Sequence, residues 1–254
     1  MFWKNGKKQQ KLFPDMRYEQ QSMMGDKLSF AASEAYKLLR TNLTFSFADE
    51  ESRRIIGITS ALKGEGKSLT AINLAYTFAE MGRRVLLIEC DLRLPTIAKR
   101  LKRPTTPGLS NLLVGLNSAN EVVQKGVLHE SLDIMPAGSI PPNAAELLES
   151  SRMQYTLDKF SEYYDYIFLD LPPVTVVSDA LIASRLTSGM VVVVRQDYAS
   201  KAALAETMRQ LKYVNAKVLG FVFNSVEESA SAYKKYYRKG YGYDKGYGYE
   251  YGRK

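Results

Sequence analysis

Three short stretches hold residue types that could do chemistry together. In "ALKGEGKS" (Ala61 to Ser68), Gly64 and Gly66 let backbone N–H groups curl around phosphate oxygens, where a side chain would collide. Lys67 has the length to reach the β and γ phosphates, and the Ser68 hydroxyl can coordinate Mg²⁺. With Glu65 and Leu69, these residues form the candidate nucleotide-binding set, although the strict pattern opens with Gly and this chain has Ala61. In "LLIECDLR", Glu89 and Asp91 are two positions apart and so on one strand face, with Cys90 turned to the other as core filler. In "YIFLDLPP", Asp170 closes an apolar run. Carboxylates facing a phosphate loop hold Mg²⁺ and its waters or orient an attacking nucleophile; ordinary strand-end caps are the plainer alternative. The candidate metal set is Ser68, Asp91 and Asp170, and the candidate catalytic set is Lys67, Glu89, Asp91 and Asp170. Asn224, at the end of the last apolar run, is a candidate for an adenine edge.

These residues need a scaffold that delivers them to one place. "RRIIGITS", "RVLLIEC", "LDIMPAG", "DYIFLD", "GMVVVVR" and "KVLGFVFN" read as strands. Helical stretches alternate with them, among them "KSLTAINLAYTFAEMG", closed by Gly82, and "SKAALAETMRQLKYVN". Ser29 to Phe47 reads as an upstream helix with Ala35, Leu38, Leu39 and Leu43 on one face. Apolar strands alternating with helices predict an α/β, doubly wound, mostly parallel sheet covered on both faces. Ligands of such sheets bind beyond the carboxyl ends of the strands, where every motif above falls.

The 254 residues, 45% of them apolar, suffice for one α/β core. One cysteine and one histidine exclude an internal disulfide framework or a multi-cysteine metal site and argue against Ser-His or Cys-His devices; His129 reads as a surface or loop residue. The net charge of +8 sits at the ends: positions 1–17 carry +4 and positions 233–254 carry +5, leaving a near-neutral body. Nucleic-acid-binding domains instead carry their charge on a folded face, so no nucleic-acid partner is expected; basic ends suit an anionic membrane surface or an acidic partner. No apolar run approaches the roughly 18 residues of a membrane span, and the start lacks the apolar core of a signal peptide. The expected location is cytoplasmic, with peripheral recruitment to the inner face of the membrane.

The last 22 residues, "YKKYYRKGYGYDKGYGYEYGRK", hold eight of the chain's 17 tyrosines. With five glycines, seven Lys/Arg and almost nothing aliphatic, the stretch is predicted to be disordered. It reads as a sticky low-complexity terminus, as an aromatic-and-basic segment for nucleic acid, or as a set of hydroxyl substrates, Tyr233, Tyr236, Tyr237, Tyr241, Tyr243, Tyr247, Tyr249 and Tyr251.

"GEGKS", "LLIECDLRLP", "IFLDLPP", "GSIPPNAAELL", the upstream "EAYKLLRTN" and the tyrosine cluster together resemble the MinD/ParA branch of P-loop ATPases. Within it they resemble the bacterial tyrosine kinases of capsule and exopolysaccharide production, over nearly the whole chain. The resemblance implies ATP and Mg²⁺ as cofactors and tail tyrosines phosphorylated in trans within a homo-oligomeric ring. It also implies a separate transmembrane activator protein and a cognate tyrosine phosphatase. The family's Glu-x-x-Arg-x-x-Arg assembly motif matches at Glu34 and Arg40, with Lys37 for the first arginine; lysine cannot reproduce a bidentate arginine contact. Leu62 stands where MinD-like ATPases carry a further lysine, and Glu89 stands where the kinases usually have aspartate. If that carboxylate orients the acceptor hydroxyl, a shift of about 1 Å costs on the order of 10²-fold. At roughly 3.3–3.6 Å per residue the tail spans about 75 Å, enough to reach a neighbour's site.

The implied organisation is a flexible basic arm over 1–28, a P-loop kinase domain over 29–232 that includes the assembly helix 29–47, and the tail over 233–254. Two other classes remain: an ATP-switched positioning protein of the MinD/ParA kind without kinase activity, and a catalytically weak regulatory homologue.

Overall fold

The computed structural model of the chain describes residues 24–47 and 54–226. The expected tyrosine tail and the arm up to position 23 lie outside the described residues. The described residues through Asn224 group as one compact unit.

In chain order this unit contains α1 (Phe30–Ser46), β1 (Ile55–Ser60), α2 (Lys67–Glu80), β2 (Val85–Glu89), α3 (Ile97–Arg100), α4 (Leu109–Leu113), α5 (Ala119–Val122) and β3 (Leu132–Met135). It continues with α6 (Ala144–Glu149), α7 (Ser151–Ser161), β4 (Tyr166–Asp170), α8 (Asp179–Ser184), β5 (Gly189–Arg195), α9 (Lys201–Tyr213) and β6 (Val218–Asn224). All six strands are parallel, in the order β3-β2-β4-β1-β5-β6.

The alternation of strand side chains produces two cores. Leu86, Ile88, Cys90, Leu169 and Val192 pack on one face with Leu148, Leu157, Ala180 and Leu211. Val85, Leu87, Phe168 and Val193 pack on the other with Ile72, Ala75 and Phe78 of α2. With both faces covered, the strands read as continuous apolar runs, and Cys90 is buried core as expected.

Two expectations about the start of the domain change. The loose arm expected through residue 28 gives way to packed structure at Met24, which is buried. Gly25, at φ +61°, donates its N–H to Asn73 Oδ1 at 3.1 Å and lies against the Tyr76 ring. The inner face of α1 is also rotated from the expected one. Leu43 is buried and Tyr36 and Leu39 pack on the α2-side core, whereas Ala35 is exposed and Leu38 is 63% exposed. Four leucine and alanine positions fit two overlapping arcs of a helix; Phe47, buried just beyond α1, and the contacts of Tyr36 decide which arc faces inward.

Candidate active site

The P-loop leaves the carboxyl end of β1 and runs into α2, and two of its glycines hold conformations that side chains resist. Gly64 and Gly66 have φ of +89° and +92°. A Cβ on Gly66 would collide with the amide of Asn224, and that amide donates to the Glu65 carbonyl at 2.8 Å. Asn224, expected at an adenine edge, is thus at the site but braces the loop. The Glu65 side chain is fully buried and accepts from Leu62 N–H at 2.6 Å. Leu69 packs partly buried against the α2-side core, so its side chain is structural and only its backbone belongs to the nucleotide set. Ala61 is buried, and its carbonyl accepts from Thr175 Oγ1 at 2.6 Å.

Lys67 crosses to the carboxylates. Its Nζ lies 3.0 Å from Asp91 Oδ2 and 3.4 Å from Asp170 Oδ1, and 3.4 Å from Ser68 Oγ. Burial alone would lower its pKa, but Asp170 and Asp91 outweigh burial and hold it above the ordinary lysine value. The side chain therefore remains an ammonium. Burial pushes the Asp170 carboxyl up, and Lys67 opposes that shift.

Asp170 Oδ2 is buried with no hydrogen-bond partner. A buried carboxylate oxygen left over beside a P-loop serine fits a divalent cation, which would supply the missing partner. Among the described residues no three His, Cys, Asp or Glu side chains converge. Mg²⁺ in nucleotide sites takes one or two carboxylates and completes its shell with phosphate and water.

Glu89 has different partners from its neighbours in the motif. It is 1% exposed. One carboxylate oxygen accepts from the Thr96 and Ile97 N–H groups at the start of α3, and the other accepts from Ala137 N–H at 3.3 Å. Glu89, expected to orient an acceptor hydroxyl, is occupied as a strut between α3 and the segment after β3. The extra methylene relative to aspartate gives it this reach.

Some contributors were not foreseen. Arg93 makes a two-pronged pair with the fully buried Asp179, at 2.8 and 3.0 Å, fastening the segment after β2 to α8. Its place two residues after Asp91 was the available signal. Tyr198 donates to the Lys63 carbonyl at 2.9 Å and supports the P-loop from the end of β5; no local pattern marks it.

The assembly candidates separate. Glu34 and Lys37 pair with each other at 2.8 Å, while Arg40 turns inward and donates to the Thr77 carbonyl at 2.7 Å, tying α1 to α2. Glu34 and Lys37 lie on the outer side of α1, which also exposes Phe30, Leu38 and Phe45. The eight tail tyrosines fall outside the described residues.

A parallel sheet with a P-loop after its first strand, a lysine between two strand-end carboxylates and an orphaned carboxylate oxygen define a P-loop nucleotide-dependent phosphotransferase or hydrolase. The AAA domain family model matches residues 53–220. The chain is 37% identical over 205 residues to the tyrosine-protein kinase YwqD of Bacillus subtilis, covering 81% of this chain and 86% of YwqD. The kinase domain of the Escherichia coli tyrosine kinase ETK superposes with a TM-score of 0.77 at 28% identity, over 91% of this chain and 84% of that one. The chimerical protein CapA2B2 superposes with a TM-score of 0.76 at 30% identity, over 82% and 90%. The chain belongs to the bacterial tyrosine-protein kinases.

Proposed function

We propose that this kinase uses Mg·ATP to phosphorylate tyrosines of its own C-terminal cluster, Tyr233 to Tyr251, on a neighbouring copy, and through this regulates capsule or exopolysaccharide synthesis or export. The observation that carries the reading is Lys67 Nζ held between Asp91 and Asp170 beside the unpartnered Asp170 Oδ2. Mg·ATP would supply the transferable phosphoryl group and the cation that neutralises its oxygens. The N–H groups of the loop from Gly64 to Leu69 and the Lys67 ammonium would hold the phosphates, and Ser68, Asp91 and Asp170 would hold the metal.

Lys67 is charged before any ligand arrives, because two carboxylates keep it so. The same ammonium would hold a nucleotide phosphate, and Asp91 and Asp170 would then be the carboxylates that hold the cation. Phosphoryl transfer has a loose transition state, so positioning and charge matter more than a strong base. With Glu89 engaged by backbone donors, Asp91 is the carboxylate beside which the acceptor phenol is set. That phenol is neutral near pH 7, given an ordinary tyrosine pKa of about 10. The α1 surface with Phe30, Glu34, Lys37, Leu38 and Phe45 is the assembly face; the partners are a transmembrane activator and a tyrosine phosphatase at the inner membrane surface. No helix among the described residues is long and apolar enough to cross a membrane.

Phosphotyrosine mapping by mass spectrometry tests the reading, using phosphatase-treated protein incubated with Mg·ATP, with and without a candidate activator peptide. Phosphate on the tail that is absent in Lys67→Met is the expected result. ATP consumed with unmodified tyrosines, activator present, would overturn it. The use of Glu89 as a strut favours one second reading, a weak regulatory homologue, for which nucleotide would bind with neither turnover nor phosphotyrosine.

A further inference from the structure

At the end of the sheet opposite the P-loop lies a cavity of about 580 Å³. It opens where Arg84 enters β2, Ser131 enters β3 and Tyr164 precedes β4, and no residue of the kinase site lines it. Its volume falls within the roughly 300–1,000 Å³ of small-molecule sites. Four rings, Tyr155, Phe160, Tyr163 and Tyr164, form one wall, and Leu112 and Val123 contribute aliphatic surface. Tyr155 and Tyr163 are 61% and 63% exposed, an unusual placement for two large rings facing one hollow.

A polar cluster is built into this apolar cup. Asp133 Oδ2 accepts from Tyr164 Oη at 2.6 Å and from Lys125 Nζ at 2.7 Å, and Lys125 Nζ also donates to Tyr164 Oη at 2.9 Å. Asp133 Oδ1 accepts from Gly126 N–H at 3.0 Å. Burial pushes the Tyr164 phenol up to about 12, so it remains a donor committed to Asp133. Both Asp133 oxygens are therefore engaged. Lys125 uses two of its three N–H bonds within the cluster, which leaves a donor among the described residues on a side chain 72% exposed. Arg84 and Lys159, also lining the cavity, are paired with Asp165 and Glu162. A ligand meets rings and aliphatic carbon on the walls and, from this cluster, an ammonium N–H; Glu130 adds an exposed carboxylate, but Arg84, Lys125 and Lys159 outnumber it and Asp133 in the lining, so the complementary chemistry is a flat apolar ring system carrying an anionic acceptor.

We propose that this cavity is a second ligand site, separate from the kinase centre, which takes a small aromatic anion with its rings against Tyr155 and Tyr163 and its acidic group on Lys125.

The test uses the full chain with its P-loop saturated by Mg·ADP and follows fluorescence on titration with 8-anilinonaphthalene-1-sulfonate, which has both features. N-phenyl-1-naphthylamine, with similar rings and no sulfonate, is the uncharged comparison. Saturable sulfonate binding is expected, with the uncharged probe about three- to ten-fold weaker, the weight of one exposed charge-assisted hydrogen bond. Lys125→Met removes that preference. Tyr155→Ala weakens both probes about two- to ten-fold. Ala119→Trp, which fills the mouth from an exposed helix position, removes saturable binding, while Tyr213→Ser at the exposed end of α9 changes nothing. Equal affinity in the parent and Ala119→Trp overturns the site, as does the absence of saturation in the parent. Equal binding of the two probes overturns the anionic requirement. Because nothing is read through phosphotyrosine, these outcomes are independent of the kinase assay.

Discussion

Removing the Glu89 carboxylate distinguishes a strut from a catalytic group. In Glu89→Ala the N–H groups of Thr96, Ile97 and Ala137 lose their acceptor. Ile97 and Ala137 are 1% and 2% exposed, so water does not readily replace the lost oxygen at either. Each orphaned buried donor costs about 1–3 kcal/mol. Thr96 is only half-buried and regains water, and removing a buried carboxylate returns part of its own desolvation, the main cause that raises the Glu89 pKa. The net expectation is a loss of about 3 kcal/mol, or roughly 6–12 °C in Tm for a chain of this size. Glu89→Asp, whose carboxylate is one methylene short of α3, should fall between the parent and Glu89→Ala. Urea unfolding followed by circular dichroism gives the stability, and Mg·ADP binding on the same samples reports whether the P-loop survives. If Glu89→Ala unfolds within about 0.5 kcal/mol of the parent while phosphotyrosine formation collapses, the strut assignment is refuted and the carboxylate belongs to the reaction.

Arg93→Ala leaves the fully buried Asp179 without its cation, but the arginine is 44% exposed and screened by water, so the cost should be about 1–2 kcal/mol; Asp179→Asn in the same chain should recover part of it in urea unfolding. Gly66→Ala forces a side chain into a left-handed conformation against the Asn224 amide. Calorimetry should find Mg·ADP binding lost, and adding Asn224→Ala should relieve the clash without restoring full affinity, because the strained φ remains. The Tyr164 phenol is raised in the folded state to about 12 from 10, chiefly by burial. The folded chain therefore holds a proton that the unfolded chain has released, and stability should fall as pH rises from about 10 through 12. Lys125, also raised, acts in the same direction, and Tyr164→Phe should flatten the alkaline decline of the urea midpoint.

The sequence by itself determined the alternation of strands and helices, the parallel doubly wound sheet and the clustering of Lys67, Asp91 and Asp170. Each rests on local information: apolar runs, a glycine-rich turn between a strand and a helix, and carboxylates at strand ends that the topology brings to one edge. It did not determine what each polar side chain does there. Glu89 closes β2 and Asp91 follows two residues later with the same kind of side chain, yet Asp91 meets Lys67 while Glu89 meets Ala137, 48 residues away in the chain. Asn224 faces the P-loop across 159 positions and Arg93 meets Asp179 across 86. Hydrogen-bond partners that far apart leave no periodic trace, because the pairing depends on how strands are ordered in the sheet. The inward face of α1 escaped for a related reason: leucines on two overlapping arcs are equivalent until a neighbouring helix covers one of them. The aromatic cavity likewise draws its walls from residues between 84 and 164, and only the packing of α4, α5 and α7 at the amino end of the sheet gathers them around one space.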